Sequence, residues 1–293
     1  MIRLIAAALA ALLCLPAVAS AAAADWSRLM SPAEVVAGQA DGAIVVDIRA
    51  PADFAAGHIA GAVNLPYPGW RGPRTNPGAL IEDAELTTML NGAGIAPGTP
   101  LVLVNPGDSP SAFGATARVY WTLKSAGFEQ LAILNGGYAA WAEAGLPLTT
   151  EVSPRAPTTD AFAIAPTWAV TRDEVARVAE GESEMLLVDA RPDAFFRAEA
   201  KHPAAGWAGT IEGAVNLFHE SFFGQDGRLR EDPEAVQALA REAGWTPGTT
   251  VVSFCNTGHW AASNWFALSE IGGLEDVRLY PESMVGWSTA FGG

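Results

Sequence analysis

Cysteine is nearly absent from this 293-residue chain, which has only Cys14 and Cys255. Cys14 falls in an apolar N-terminal run, so a processed chain holds one thiol and no intramolecular disulfide. Basic residues are also scarce: 17 Lys and Arg stand against 32 Asp and Glu, a formal charge of -15. That sign repels nucleic acid phosphates and anionic lipid headgroups, whose binding needs clustered cations. Neither nucleic acid nor a membrane surface is an expected partner. The four histidines are dispersed and, with one mature cysteine, lack metal-ligand spacing. Gly136-Gly137 reads as a turn, not a nucleotide loop, so no metal and no cofactor are expected.

Strongly apolar runs are likewise few. Arg3 followed by Leu4 to Leu15 and then Ala17-Val18-Ala19 reads as a secretory leader over residues 1–24. The run is shorter than the roughly 20 residues that cross a bilayer. Leu13, not a small residue, precedes Cys14, which argues against lipid attachment. A periplasmic or secreted protein, free of the membrane after cleavage, is expected. Half of all residues are hydrophobic and 17% are charged, consistent with a globular body of two domains.

The chain repeats itself. Ala43-Ile44-Val45-Val46 leads into Asp47-Ile48-Arg49, as Met185-Leu186-Leu187-Val188 leads into Asp189-Ala190-Arg191. Ile59-Ala60-Gly61-Ala62-Val63-Asn64 matches Ile211-Glu212-Gly213-Ala214-Val215-Asn216. The apolar runs Leu101 to Asn105 and Val251 to Cys255 each precede a loop and a helical stretch, ending at Gly127 and Gly272. Short strands at Leu131 to Leu134 and Val277 to Tyr280 follow, and the copies close on Trp141 and Trp287. Ser31-x-x-Glu34 and Thr171-x-x-Glu174 are capping boxes that open the first helix of each copy. Thr149 to Thr159, rich in Thr and Pro, reads as a linker. The reading is therefore α/β, with a domain over residues 25–148, a linker over 149–165 and a domain over 166–293.

Asp47-Ile48-Arg49, Phe54, Gly57 to Asn64, Leu134 to Tyr138 and Trp141 resemble a rhodanese homology domain. Asp189-Ala190-Arg191, Gly209 to Asn216, Cys255 to Trp260, Ser283 and Trp287 repeat the pattern in the same order. The resemblance implies two rhodanese-like domains, each a largely parallel central sheet flanked by helices. It further implies an inactive first domain and a sulfurtransferase site in the second. Asn105 stands where domain 2 has Cys255 and cannot form a persulfide, and Asp108 in its loop would oppose an anion.

Cys255 ends an apolar strand, and Asn256-Thr257-Gly258-His259-Trp260 turns the chain into a helix. Such a crossover aims amides and a helix N-terminus at the sulfur, favouring thiolate. The expected chemistry is ping-pong: a small anionic donor, thiosulfate or 3-mercaptopyruvate, leaves sulfur on Cys255, and cyanide or a thiol removes it. Gly258 supplies the tight turn, His259 is a candidate for positive charge or proton relay, and Trp260 for a pocket wall. Arg191 is read as a source of positive potential or as the partner of Asp189. Thiosulfate enzymes of this type place an arginine where this chain has Phe195, so Arg197, Lys201 or His202, in a loop that lengthens domain 2, become candidates for the missing cation. Domain 1 keeps His58 where domain 2 has Thr210. Phosphatases sharing the fold carry an arginine where Ala261 stands, which disfavours phosphoryl chemistry. The alternative to an enzyme is an exported persulfide carrier or docking module that serves a partner protein.

Overall fold

The computed structural model describes residues 26–292; the leader expected over residues 1–24 lies outside them. In domain 1, β1 (Leu29–Met30), β2 (Ile44–Asp47), β4 (Val63–Asn64), β5 (Leu101–Val104) and β6 (Leu131–Leu134) form one sheet in the order β1-β6-β5-β2-β4. All its pairings are parallel. A separate antiparallel pair joins β3 (His58–Ile59) to β7 (Leu148–Thr149), a feature that no sequence pattern announced. Domain 2 repeats the arrangement with β8 (Leu186–Asp189), β9 (Val215–Asn216), β10 (Val251–Phe254) and β11 (Val277–Leu279), parallel in the order β11-β10-β8-β9. A lone bridge from Ala169 to Leu279 takes the place of β1.

Parallel strands need crossovers, and helices supply them on both faces. Domain 1 contains α1 (Pro32–Ala40), α2 (Pro51–Ala56), α3 (Asp83–Gly92), α4 (Pro110–Ser125) and α5 (Gly137–Glu143). Domain 2 contains α6 (Arg172–Ala179), α7 (Asp193–Phe196), α8 (Pro233–Glu242), α9 (Trp260–Phe266) and α10 (Ser283–Ala290). Both capping boxes form: the Ser31 and Thr171 hydroxyls accept the amides of Glu34 and Glu174, and each carboxylate returns to the cap amide. The central strands β2, β5 and β10 are buried along their whole length, as continuous apolar runs in a covered parallel sheet should be.

The two domains share one core. Helices α4 and α9 follow equivalent strands, β5 and β10, and pack on one another across the junction. Phe113 and Tyr120 on α4 meet Phe266 edge to face, with ring centroids 5.5 and 4.9 Å apart. Gly114 makes this approach possible: a Cβ there would lie 3.1 Å from the His259 ring and 3.2 Å from Ser263 Oγ. The segment read as a linker contains no helix or strand between residues 150 and 165, yet it is tied down. Asn91 bonds Thr158 and Asp160, Thr87 bonds Phe162, and the Phe162 ring is buried.

Candidate functional site

Cys255 is the residue just past β10, at the C-terminal edge of a parallel sheet, where crevices form in this class of fold. It is 1% exposed and lines a cavity of about 200 Å³. Asn256, Thr257, His259, Trp260, His202 and, from domain 1, Ser111 line the remainder. The amides of Asn256, Thr257 and His259 have no hydrogen-bond acceptor among the described residues. Unpaired amides in a tight loop form a nest suited to negative charge. Among the described residues no cluster of His, Cys, Asp and Glu is arranged to hold a metal ion.

Ser283 shapes this nest. It adopts a left-handed φ of 51°, and its hydroxyl accepts the amides of both Cys255 and Gly258 at 3.0 Å while donating to the Tyr280 carbonyl. The amides of Met284 and Val285 then bind the carbonyls of Cys255 and Asn256. Gly258 is left-handed too, with φ +68, and presses against Pro281 and Arg118.

Domain 1 also holds the loop. Arg71 donates through Nη2 to the Thr257 carbonyl at 2.6 Å and through Nη1 to the Tyr67 hydroxyl at 2.7 Å. The Tyr67 hydroxyl faces His259 Nδ1 at 3.0 Å, and His259 Nε2 faces the Ser111 carbonyl at 2.7 Å. A carbonyl only accepts, so Nε2 carries the proton and Nδ1 accepts from Tyr67. Trp260 Nε1 donates to the Ser111 hydroxyl at 3.0 Å. Arg118, buried on α4, donates to the carbonyls of Gly258 and Gly78 at 3.3 and 3.0 Å. Burial foremost, and then Arg71, pushes Arg118 down to about 9.

Burial, followed by the Arg71 guanidinium, pushes His259 down to about 4; the Ser111 carbonyl opposes this, and Arg118 adds to the depression. His259 is therefore neutral near pH 7. It binds the two domains together and brings no positive charge to the sulfur. His219, stacked on Trp260 with ring centroids 5.0 Å apart, is pushed to about 3 by burial and then by His259. Below pH 6.5 the unfolded chain protonates both imidazoles, while the folded chain resists until about pH 4 and 3. Stability is thus lost as pH falls through that window, at about 1.4 kcal/mol per pH unit for each imidazole. In denaturant melts from pH 6.5 to 4, His219→Phe is expected to remove one imidazole's share of this slope and to keep a ring on Trp260. A slope equal to that of the parent chain would assign the acid sensitivity to the carboxylates instead.

The remaining candidates from the sequence divide. Arg191 is buried and clamps Asp189 in a fork, donates to the Gly209 carbonyl and reaches Asn256 Oδ1 at 3.4 Å. It therefore acts on the loop and does not line the cavity. Arg197 lies on the surface, paired with Asp193 at 2.9 Å with 64% of its side chain exposed, and is not brought to the site. Lys201 turns to the Ala205 carbonyl, whereas His202 reaches the cavity. Phe195 packs edge-on to Trp260. Sequence reasoning missed Tyr67, Arg71, Ser111 and Arg118, because these residues carry no motif of their own and matter only through the docking of one domain on the other.

The equivalent site of domain 1 is closed. Asn105 Oδ1 accepts the Gly107 amide and its Nδ2 donates to Thr116 Oγ1, each at 2.7 Å. Arg49, the counterpart of Arg191, is covered by the Tyr138 ring 3.8 Å away.

A family model for the rhodanese-like domain matches residues 31–144 and again 171–290. A putative thiosulfate sulfurtransferase of Synechococcus elongatus is 28% identical over 258 residues, 84% of this chain and 78% of its own length. A probable 3-mercaptopyruvate sulfurtransferase of Pseudomonas aeruginosa is 33% identical over 212 residues, 72% of each chain. A sulfur carrier protein of Thermus thermophilus is 30% identical over 254 residues, 80% of this chain and 84% of its own. Among solved structures, an anaerobic ergothioneine biosynthesis enzyme from Chlorobium limicola shares the fold with a TM-score of 0.77 at 22% identity, covering 89% of this chain and 68% of that one.

Proposed function

The chain belongs to the rhodanese family of sulfurtransferases, and from this we propose that Cys255 carries sulfur as a persulfide between an anionic donor and a thiophilic acceptor. The observation that carries the reading is the placement of one buried thiol at the end of β10, beneath a loop with three unpaired amides. In the first half-reaction the thiolate attacks the outer sulfur of thiosulfate; the donor S–S bond breaks, Cys255–S–S⁻ forms and sulfite leaves with the bonding electron pair. In the second, cyanide attacks the outer sulfur and leaves as thiocyanate, returning the thiolate; a thiol acceptor becomes a persulfide instead. The same amides serve thiolate and persulfide, so neither half-reaction requires a separate general base.

Incubation with thiosulfate or 3-mercaptopyruvate followed by peptide mass spectrometry is expected to find one added sulfur atom on Cys255. Unmodified Cys255 after both donors would end the proposal. Because Arg71 holds the loop through the Thr257 carbonyl, Arg71→Ala is expected to slow thiocyanate formation about tenfold, the equivalent of one lost charge-assisted hydrogen bond. An unchanged rate would show that the loop holds its shape without domain 1.

A second reading, a persulfide carrier that hands sulfur to a partner protein, is favoured by the relation to the Thermus sulfur carrier. Stable loading of Cys255 with slow discharge to cyanide would select it. We further propose that the protein works outside the cytoplasm, supported by the leader pattern of residues 1–24. A mature N-terminus near Ala19 to Asp25 in a periplasmic fraction is the expected finding, and an uncleaved cytoplasmic chain would overturn it.

A further inference from the structure

Residues 197–209 lengthen domain 2 and have no counterpart in domain 1, yet they are fastened to the fold. The amides of Glu199 and Ala200 both donate to the Ala194 carbonyl. The Gly206 amide donates to Ser288 Oγ at 2.9 Å and Trp207 Nε1 to the Phe291 carbonyl at 2.9 Å, tying the loop to α10. Ala205 is buried, and Ala198 holds a left-handed φ of 64°. A residue with a Cβ stays in that conformation only where its surroundings enforce it. The result is to bring His202 to the wall of the Cys255 cavity.

His202 Nδ1 accepts the Ala204 amide at 3.2 Å, which puts the proton of the neutral ring on Nε2. Burial lowers its pKa and favours that neutral form. None of the residues lining the cavity is Lys, Arg, Asp or Glu. The nearby guanidiniums are engaged: Arg191 by Asp189 and Gly209, Arg71 by Tyr67 and Thr257, Arg118 by backbone carbonyls. The loop amides already serve the Cys255 thiolate, so every further negative charge on a donor enters the cavity without a partner cation and costs more the more charges there are. A dianion in the same space has no cation to offset its lost hydration, in a chain that is itself strongly negative.

We propose that His202 is a specificity-determining residue that selects a singly charged organic sulfur donor of the mercapto-acid type over dianionic thiosulfate. This rests on the sulfurtransfer reading above. For 3-mercaptopyruvate, the Cys255 thiolate attacks the donor sulfur and the S–C bond breaks. Its electron pair passes into the carbonyl as an enolate, whose oxygen accepts the His202 Nε2–H. The donor's S–H proton then moves to the enolate carbon, leaving pyruvate and Cys255–S–S⁻, with no outside oxidant or reductant.

The test measures both donors with the full-length chain carrying His202→Ala, His202→Gln and His202→Arg. His202→Ala is expected to lower kcat/KM for 3-mercaptopyruvate about tenfold, the loss of one hydrogen bond in the transition state. His202→Gln, which keeps an N–H donor, should recover most of it. His202→Arg should raise kcat/KM for thiosulfate about tenfold, through the cation the parent cavity lacks. Arg197→Ala, on the exposed part of the same loop, should leave both donors within about twofold of the parent, which separates donor selection at His202 from general damage to the loop. His202 variants that match the parent on both donors, or a parent that prefers thiosulfate, would overturn the inference and leave the persulfide reading standing. A parent that takes no sulfur from either donor would overturn both.

Discussion

Cys255→Ser is expected to abolish thiocyanate formation, a loss of at least about a thousandfold, with little change in the melting temperature. A serine hydroxyl near neutral pH is a weak nucleophile toward sulfane sulfur and forms no persulfide. The replacement is nearly isosteric, and the Cys255 amide and carbonyl, bonded to Ser283 and Met284, are untouched by it. Thiocyanate assays and intact-mass measurement of sulfur uptake check the outcome. Activity surviving at a tenth of the parent level or more would require a different sulfur carrier in the chain. Domain 1 offers no substitute: in the double variant Cys255→Ser, Asn105→Cys the new thiol would stand beneath the closed loop and the Tyr138-covered Arg49. That protein is also expected to be inactive.

The second large effect is on folding of the junction. Gly258→Ala would place a Cβ 2.3 Å from Arg118 Nη1 and 2.5 Å from the Pro281 carbonyl oxygen, at a φ of +68 that residues with a Cβ rarely adopt. Backbone cannot retreat as a flexible side chain can, and the Gly258 amide and carbonyl are both engaged, by Ser283 and Arg118. A cost of about 2–4 kcal/mol is expected. Sulfur transfer should fall with it, because the strain is resolved by moving the loop that carries the unpaired amides. Thermal unfolding should shift down by roughly 5–10 °C. A variant with parental stability and activity would mean that the Arg118 contact is not what shapes the loop.

The Cys255 loop in domain 2 is thus braced by a domain that carries Asn105 at the matching position. There the Asn105 side chain accepts the Gly107 amide and donates to the Thr116 hydroxyl, so its hydrogen bonds are spent within its own domain. From the face of domain 1 toward domain 2, Tyr67, Arg71, Ser111 and Arg118 reach the loop.

The doubled α/β architecture was legible in the sequence because its signals are local. A buried parallel strand must be a short apolar run, and a helix must satisfy its first amides. Hence β2, β5, β8 and β10 lie within a residue of their apolar runs, and the capping boxes of Ser31 and Thr171 form as their spacing requires. The position of Cys255 at a strand end before a helix is local in the same way. What the tertiary structure alone decided was everything that depends on side chains far apart in the chain. It neutralised His259 by burying it between Tyr67 and Ser111, and brought His202 to the wall of the Cys255 cavity. Charge, burial and hydrogen-bond partners at such positions are set by what packs against them, and a linear order of residues does not contain that.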